Sequence, residues 1–226
     1  MLSVIIPTLN AESTLPQTLS ALIPGVVSGL VKDVIISDGG SADASRDIAE
    51  DTGCKVVTGP AGRGAQLARG ALAARGNWLL FLHADTVLSP GWEAEAGHFM
   101  EQNYSSAYAG VFRFALDDFR PQARHLERLV SLRCKLFALP YGDQGLLIHR
   151  GLYDQLGGYA NIPLMEDVDL IRRIGRRRLI YFRSTALTSA ARYAAGGYLR
   201  RPLHNLFCLS LYFMRVPPRV IARLYG

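Results

Sequence analysis

Short apolar runs alternate with segments of helical periodicity along the first half of the chain. Four runs favour strands, because each is short and rich in apolar or β-branched residues: Leu2–Ile6, Val34–Ile36, Lys55–Thr58 and Trp78–Leu82. Three helices are predicted between them: Glu12–Ile23, a helix that begins after Ser41, and Ala65–Ala74. Strands that are apolar on both faces and separated by helices predict a parallel sheet covered on both sides.

The pattern becomes mixed after about Pro90. It predicts four further elements: a helix near Trp92–Glu101, a strand near Tyr108–Phe114, a helix near Pro121–Leu136 and a strand at Leu146–Ile148. A length of 226 residues with 49% hydrophobic content suits one sizeable core. We therefore expect a single domain over residues 1–226, with residues 198–226 as a C-terminal helical segment.

Polar side chains follow each of the four predicted strands. They are Thr8 and Asn10, Asp38, Arg63, and His83 with Asp85, in strand order. The carboxyl ends of parallel strands meet at one edge of a sheet, and open α/β sheets bind ligands there. The sequence therefore predicts a ligand site at this edge.

Asp85 is the first candidate for metal binding, since it stands at the tip of an apolar strand. A divalent cation on a nucleotide diphosphate needs only one or two protein ligands, because phosphate oxygens and waters complete its shell. His83 lies two residues earlier, on the same side of an extended chain. The alternative for Asp85 is an ordinary turn or helix cap.

Two glycine-bearing loops predict contacts with a nucleotide. In Ser37–Asp43, Asp38 could accept a hydrogen bond from a base edge, although Asp38 or Ser41 could equally cap the next helix. Gly59–Gln66 resembles an anion-binding turn that leads into a helix, and it places Arg63 near a diphosphate. It lacks the Gly-Lys-Ser/Thr of an ATPase loop.

Three acids stand at the start of a helix-like segment, Met165–Leu170, which becomes basic further on. Charges in this order complement a helix dipole, which is a purely structural explanation. Adjacent carboxylates also resist simultaneous ionisation, which can raise one pKa toward the range of a general base. Both interpretations are open on the residues alone.

Charge and cysteines narrow the classes of partner. The net charge is +6 with a pI of about 9.4, and all but three of the basic residues are arginine, whose forks suit phosphate oxygens. Cys54, Cys134 and Cys208 form no metal or disulfide motif and favour reduced thiols. The N-terminus lacks the features of a secretory signal and the apolar run 206–214 is too short to span a bilayer, so we expect a cytoplasmic protein.

Four motifs occur in order along the chain: Val4–Asn10, Asp38–Ser41, His83–Asp85 and Glu166–Asp167. With them the chain resembles the family 2 glycosyltransferases of the GT-A fold over roughly residues 2 to 185. More narrowly, Gly142–Gly145 and Met165–Leu170 are similar to blocks of the subgroup often described as selenodomain-associated transferases.

The resemblance implies an α/β GT-A fold with a mostly parallel central sheet flanked by helices on both faces. It implies an inverting glycosyltransferase in which Asp167 is the catalytic base, supported by Glu166. Asp85 matches the second aspartate of the D-x-D motif, and His83 replaces the first; the metal expected at Asp85 and His83 is Mn²⁺ or Mg²⁺. The implied donor-binding residues, for a nucleotide sugar with uridine favoured, are Pro7, Thr8, Asn10, Asp38, Arg63, Ala84, Asp85 and Gln144.

Other functions and partners stay open at this point. A nucleotidyltransferase has a similar sheet but needs a glycine-rich basic loop after the first strand, which Pro7–Asn10 is not. A non-catalytic nucleotide-sugar or lipid-binding protein is the other alternative, while nucleic-acid binding is disfavoured because no recognised module is present. The apolar and arginine residues of 198–226 suit packing on the domain itself, on a second copy in a homodimer, or in a membrane interface that presents a lipid-linked acceptor to the site.

Overall fold

Alternation of buried side chains across the central strands determines the layers of this fold. The structure, a computed structural model, describes residues 1–137, 139–190, 198 and 200–225. Ile5 and Phe81 face one apolar core, whereas Val4 and Leu80 on the same strands face the other. Both faces of the sheet are therefore covered, as the apolar runs predict.

The described strands form one eight-stranded sheet in the order β3-β2-β1-β4-β7-β6-β8-β5. Their bounds are β1 Leu2–Thr8, β2 Val31–Asp38, β3 Lys55–Thr58, β4 Trp78–Phe81, β5 Thr86–Leu88, β6 Ala109–Leu116, β7 Leu146–His149 and β8 Leu179–Thr188. The pairs β1–β2, β2–β3, β1–β4 and β6–β8 are parallel, and the pairs β4–β7, β6–β7 and β5–β8 are antiparallel. The predicted α/β fold is confirmed, with its parallel half in β1–β4.

Ten described α-helices pack around the sheet. They are α1 Leu15–Ser20, α2 Ile23–Val27, α3 Ser45–Asp51, α4 Arg63–Ala73, α5 Trp92–Glu101, α6 Pro121–Phe137, α7 Arg150–Gln155, α8 Glu166–Ile174, α9 Arg200–Phe213 and α10 Pro218–Tyr225. No helix within the described ranges combines the length and apolarity needed to cross a bilayer.

One predicted helix is wrong in its extent. Instead of a single helix over Glu12–Ile23, the chain forms α1 and then α2, which has Pro24 in its first turn. Proline lacks an N–H and disfavours helical backbone in the residue before it, so it starts a helix more readily than it continues one.

The C-terminal segment packs on its own domain. Cys208 and Leu209 of α9 and Ile221 of α10 are buried in the same core as Val168 of α8. Residues 214–217 separate the two helices, and Pro218 is the first residue of α10. Residues 199 and 226 of the predicted segment lie outside the described residues.

Candidate active site

The carboxyl ends of β1 and β2 form the first part of the site. Thr8 and Asp38 are register partners at the last position of their strands. Asp38 is fully buried and accepts hydrogen bonds from the amides of Gly40 and Ser41 at 2.8 and 2.9 Å. The hydroxyls of Ser41 and Thr8 donate to its other oxygen at 2.5 and 3.2 Å.

These contacts hold the loop after β2 around an ionised Asp38. Burial alone would raise the pKa of this carboxyl, but the bonds from Ser41, Gly40 and Thr8 outweigh burial and lower it. Asn10 extends this network. Its side-chain oxygen accepts a hydrogen bond from the Ala42 backbone amide at 2.9 Å, and its backbone amide donates to the Ser41 hydroxyl at 2.9 Å. Thus three of the predicted donor-binding residues share one network.

Gln66 fastens this edge to α4. Its buried side-chain nitrogen donates to the carbonyls of Thr8 and Ser37, both at 2.8 Å, and its oxygen accepts from the Gly62 amide at 3.1 Å. One amide side chain thereby satisfies backbone groups of two strand ends and of the loop before the helix. Gln66 fixes where the N-terminus of α4, and with it Arg63, stands beside the sheet.

A polar cleft of about 130 Å³ lies at the same edge, beyond β4. Side chains from distant parts of the chain line it, including Arg63 from the start of α4, His83 and Asp85 after β4, and Glu166 and Asp167 at the start of α8. All five are residues that the sequence predicts for the site. The structure brings them into one cleft.

Asp167 is held by two backbone amides. The Gly142 amide donates to its Oδ2 at 2.8 Å, and the Val168 amide donates to its Oδ1 at 2.7 Å. A Cβ added to Gly142 would lie 2.7 Å from His83 Nε2 and 3.5 Å from Asp167 Oδ2. A side chain at this position would therefore have to displace the His83 ring.

Glu166 lies deeper than its neighbour, with 2% of its surface exposed. Its Oε1 is 3.6 Å from Arg63 Nε. Burial raises the pKa of Glu166 to about 7, Asp167 raises it as well, and Arg63 opposes both. Partial desolvation of the Arg63 guanidinium, whose side chain is 43% exposed, disfavours its charge, but the nearby Glu166, Asp167 and Asp85 raise its pKa. The sequence analysis expects one of the adjacent acids to have a raised pKa. That acid is Glu166, and its carboxyl group faces Arg63.

Replacing Glu166 by glutamine should remove a pH dependence of stability. The folded protein retains the Glu166 proton to about pH 7, whereas the usual pKa is 4.5, so the free energy of unfolding falls as pH rises between these values. The difference in free energy of unfolding, Glu166→Gln minus wild type, should grow by up to ~3 kcal/mol across this window. Urea unfolding from acidic to mildly alkaline pH measures it.

The matched control is Glu50→Gln, because Glu50 is exposed on α3. Its effect should stay within about 0.5 kcal/mol at every pH. A constant difference for Glu166→Gln would contradict a buried, titrating carboxyl at this position.

Asp143 is a further acid of the cleft for which the sequence analysis assigns no role. It stands in the turn before β7, and its Oδ1 is buried without a hydrogen-bond partner among the described residues. Burial raises the pKa of Asp143 to about 6; Arg133 counteracts this, and Asp167 and Asp85 add to it. Its signal in the sequence is the motif Gly142–Gly145, which marks the turn but not the direction of the side chain.

A divalent cation fits this cleft if phosphate oxygens complete its shell. No group of three or more His, Cys, Asp or Glu side chains in the described ranges could hold a metal ion. However, Asp85 and His83 line the cleft, and the buried oxygens Asp143 Oδ1 and Glu166 Oε1 have no hydrogen-bond partner there. This donor set, which is mostly oxygen, favours a cation that arrives with a diphosphate.

The remaining predicted residues lie elsewhere. Ala84 accepts a hydrogen bond from the Thr18 hydroxyl through its carbonyl at 3.0 Å. Gln144 is buried, donates to the Phe112 carbonyl at 3.0 Å and accepts from the Cys134 thiol at 3.2 Å. Neither residue lines the acidic cleft, and neither do Pro7, Thr8, Asn10 or Asp38, which belong to the β1–β2 edge.

The family model described as Glycosyl transferase family 2 matches residues 3–160. The matched range contains the β1–β2 edge, Arg63, His83 and Asp85. It ends before Glu166 and Asp167, which α8 adds to the cleft.

Curated relatives carry related names. A PGL/p-HBAD biosynthesis glycosyltransferase of Mycobacterium bovis and of Mycobacterium tuberculosis is 31% identical over 172 residues, 70% of this chain and 63% of the relative. This chain thus spans less than two thirds of that relative's length. Glucosyl-3-phosphoglycerate synthase of Mycobacterium tuberculosis is 30% identical over 95 residues, 38% of this chain and 29% of the relative.

Solved structures share the fold. Glucosyl-3-phosphoglycerate synthase of Mycobacterium tuberculosis, in complex with Mn²⁺, UDP-glucose and phosphoglyceric acid, aligns with a TM-score of 0.56 and 21% identity over 80% of this chain and 68% of that one. TarS 1–349 of S. aureus in complex with UDP aligns with a TM-score of 0.64 and 15% identity over 93% and 65%.

Proposed function

Because this chain belongs to glycosyl transferase family 2, we propose that it transfers the sugar of a nucleoside diphosphate sugar to an acceptor hydroxyl, with inversion at the anomeric carbon. The observation that carries this proposal is the cleft in which Asp85, Asp167 and Arg63 meet beside the ends of the parallel strands. Within one small volume, Asp85 can bind a metal ion, Asp167 can act as a base, and the positively charged Arg63 can bind phosphate.

The donor is a nucleotide sugar, and we favour UDP. Thr8 and Asp38, both buried, fix the loops at the strand ends where the nucleoside would bind, Asn10 is exposed beside them, and Arg63 offers a guanidinium for the diphosphate. UDP and UDP-glucose in the two related structures support this choice.

Asp85, with His83, would hold the divalent cation, and Mn²⁺ in one related structure supports that assignment. When bound, such a cation neutralises negative charge that develops on the departing diphosphate. Arg63, fixed by the buried Glu166, supplies positive charge on the protein's own side.

Asp167 performs the proton transfer. Its carboxylate, oriented by the Gly142 and Val168 amides, accepts the proton of the acceptor hydroxyl. The freed oxygen forms a bond to the anomeric carbon of the sugar. The bond from that carbon to the diphosphate oxygen breaks, and its electron pair leaves with the nucleoside diphosphate.

Two finer assignments accompany this function. Gly142–Gly145 and Met165–Leu170, which meet at the Gly142–Asp167 hydrogen bond, support membership of the selenodomain-associated transferase subgroup. The single sheet that unites all described strands supports one transferase domain over residues 1–226, with 198–226 as its C-terminal helical segment.

Thermal unfolding with a panel of UDP-, GDP- and dTDP-sugars, with and without Mn²⁺, tests the function. Wild-type protein should gain several degrees with one nucleotide class in the presence of metal, since a ligand at about 100 times its Kd adds ~2.7 kcal/mol. Asp85→Ala should lose the metal-dependent part of this gain. If no nucleotide stabilises the wild type and none is hydrolysed, the proposal fails in favour of another ligand class.

A further inference from the structure

A second, larger cavity adjoins the acidic cleft. It has a volume of about 880 Å³, within the range of roughly 300–1,000 Å³ typical of small-molecule sites. Its walls come from α6, α8 and α9 and are largely apolar, with Leu126, Val130, Ile171 and Leu209 among them. The cavity and the cleft share Tyr141, Asp143 and Asn205 in their walls, so these three residues mark their junction.

The cavity, called the groove from here on, has buried polar atoms without hydrogen-bond partners at its polar end. In the described part of the chain, seven buried side-chain polar atoms have no hydrogen-bond partner, and four belong to residues that line the cleft or the groove. These four are Arg133 Nη2, Asp143 Oδ1, Asn205 Oδ1 and Glu166 Oε1. Glu166 Oε1 has Arg63 Nε at 3.6 Å, but the other three lack a partner, which is unfavourable and indicates a ligand with a polar group at the junction.

Arg133 is positioned to meet an anionic group. Its Nε donates to the Leu139 carbonyl at 3.0 Å, and its guanidinium stacks on the Tyr141 ring 3.5 Å from the centroid. Both contacts leave Nη2 free for a ligand at the groove. Arg172 and Arg176 also line the groove. Among its described lining residues, three are arginines and one, Asp143, is an acid.

The rim suits an occupant that comes from a lipid surface. Exposed apolar side chains continue from the groove along α9 and α10, and the exposed residues Arg215, Arg219 and Arg223 accompany them. Apolar surface flanked by arginine is the composition of segments that lie in a membrane interface. The exposed apolar residues are Leu203, Leu206, Phe207, Phe213, Met214, Val220 and Leu224.

We propose that this groove holds the aliphatic chain of a lipid acceptor whose anionic, hydroxyl-bearing head lies at the junction of groove and cleft. Arg133 contacts the anionic group, and Asp143 and Asn205 accept hydrogen bonds from the head beside Asp167. The inference rests on the proposed function, because it identifies the acceptor class of that reaction. A protein segment in the groove would explain the apolar walls but not the walls shared with the acidic cleft.

Binding of myristoyl lysophosphatidylglycerol below its micelle concentration tests the proposal, measured by calorimetry without donor. Wild-type protein should bind this probe with a negative heat-capacity change, and at least about tenfold more tightly than lysophosphatidylcholine or the tail-less glycerol phosphate. Equal binding of the two lysolipids would overturn the anionic head, and equal binding of glycerol phosphate would overturn the tail site.

Two groove variants localise the binding. Leu206→Glu and Leu132→Glu put a carboxylate into the groove from α9 and α6, and each should weaken binding at least about tenfold. Leu206 is 55% exposed and Leu132 51%, so both variants should fold, as circular dichroism checks. Leu72→Glu, at a leucine 87% exposed on α4, is the control and should bind as wild type does. Unchanged binding in both groove variants would overturn the proposal.

The outcomes separate this inference from the proposed function. Nucleotide stabilisation without lysolipid binding overturns the lipid groove alone, whereas lysolipid binding without any nucleotide effect overturns the transferase proposal. Light scattering on the same samples adds one further result. If Leu206→Glu and Leu132→Glu convert a dimer to a monomer and leave lysolipid binding intact, the groove is an interface between two copies and the proposal is wrong.

Discussion

Asp167→Asn is expected to lower the rate of sugar transfer by about 10²–10⁴-fold while donor binding is retained. The amide cannot take the acceptor proton, and it still offers one oxygen to the amides of Gly142 or Val168. The loss should therefore fall on kcat, with a smaller change in the KM for the donor. Steady-state kinetics together with nucleotide-induced stabilisation measure the two effects separately.

The control is Asp154→Asn, which makes the same chemical change at an exposed position on α7. It should leave transfer within about twofold of wild type. Transfer by Asp167→Asn at the wild-type rate would remove Asp167 from the role of base and leave Asp143 as the carboxyl to examine.

Gly64→Ala should destabilise the protein and disturb the site together. A Cβ on Gly64 would lie 2.3 Å from the Ala160 carbonyl oxygen and 3.3 Å from Glu166 Cβ. Backbone cannot yield as a side-chain tip does, so α4 must move away from the loop before α8. We expect a loss of about 1–3 kcal/mol in the free energy of unfolding, and weaker donor binding because Arg63 moves with its helix.

Gly97→Ala is the matched control, because Gly97 is also helical but its added Cβ would meet only Leu30 Cδ1 at 3.7 Å. Alanine is a better helix former than glycine, so this variant should be neutral or up to about 1 kcal/mol more stable. Chemical denaturation of both variants gives the comparison. If Gly64→Ala behaved like Gly97→Ala, the close contact between α4 and the loop before α8 would not hold in solution.

The first half of the fold could be predicted because its signals are local. Apolar strands, intervening helices and polar residues at strand ends specify β1–β4 without knowledge of distant partners. The strands of the second half are harder to predict from the sequence. The strand β8 has a mixed composition and forms by pairing with β6 along its length, and β5 has only three residues that pair with β8. Such pairing depends on tertiary context, which residue patterns do not contain.

The site divides in the same way. Arg63, Asp85, Glu166 and Asp167 were identifiable because each stands at the end of a strand or the start of a helix. The role of Asp143 depends on how the turn before β7 directs its side chain. Arg133 and Asn205 reach the site only through the packing of α6 and α9, and no local pattern marks them.

The antiparallel pairing of β7 with β4 has a consequence for folding. Phe81 pairs with Leu146, so the turn that orients Asp167 crosses the end of β4 only after a long stretch of later chain has folded. The β1–β4 half can form earlier from nearer contacts, since contacts across long loops close late. During synthesis, the β1–β2 edge should therefore take shape before Asp167 joins the site. A nascent chain at that stage would present the proposed nucleoside contacts without the proposed base.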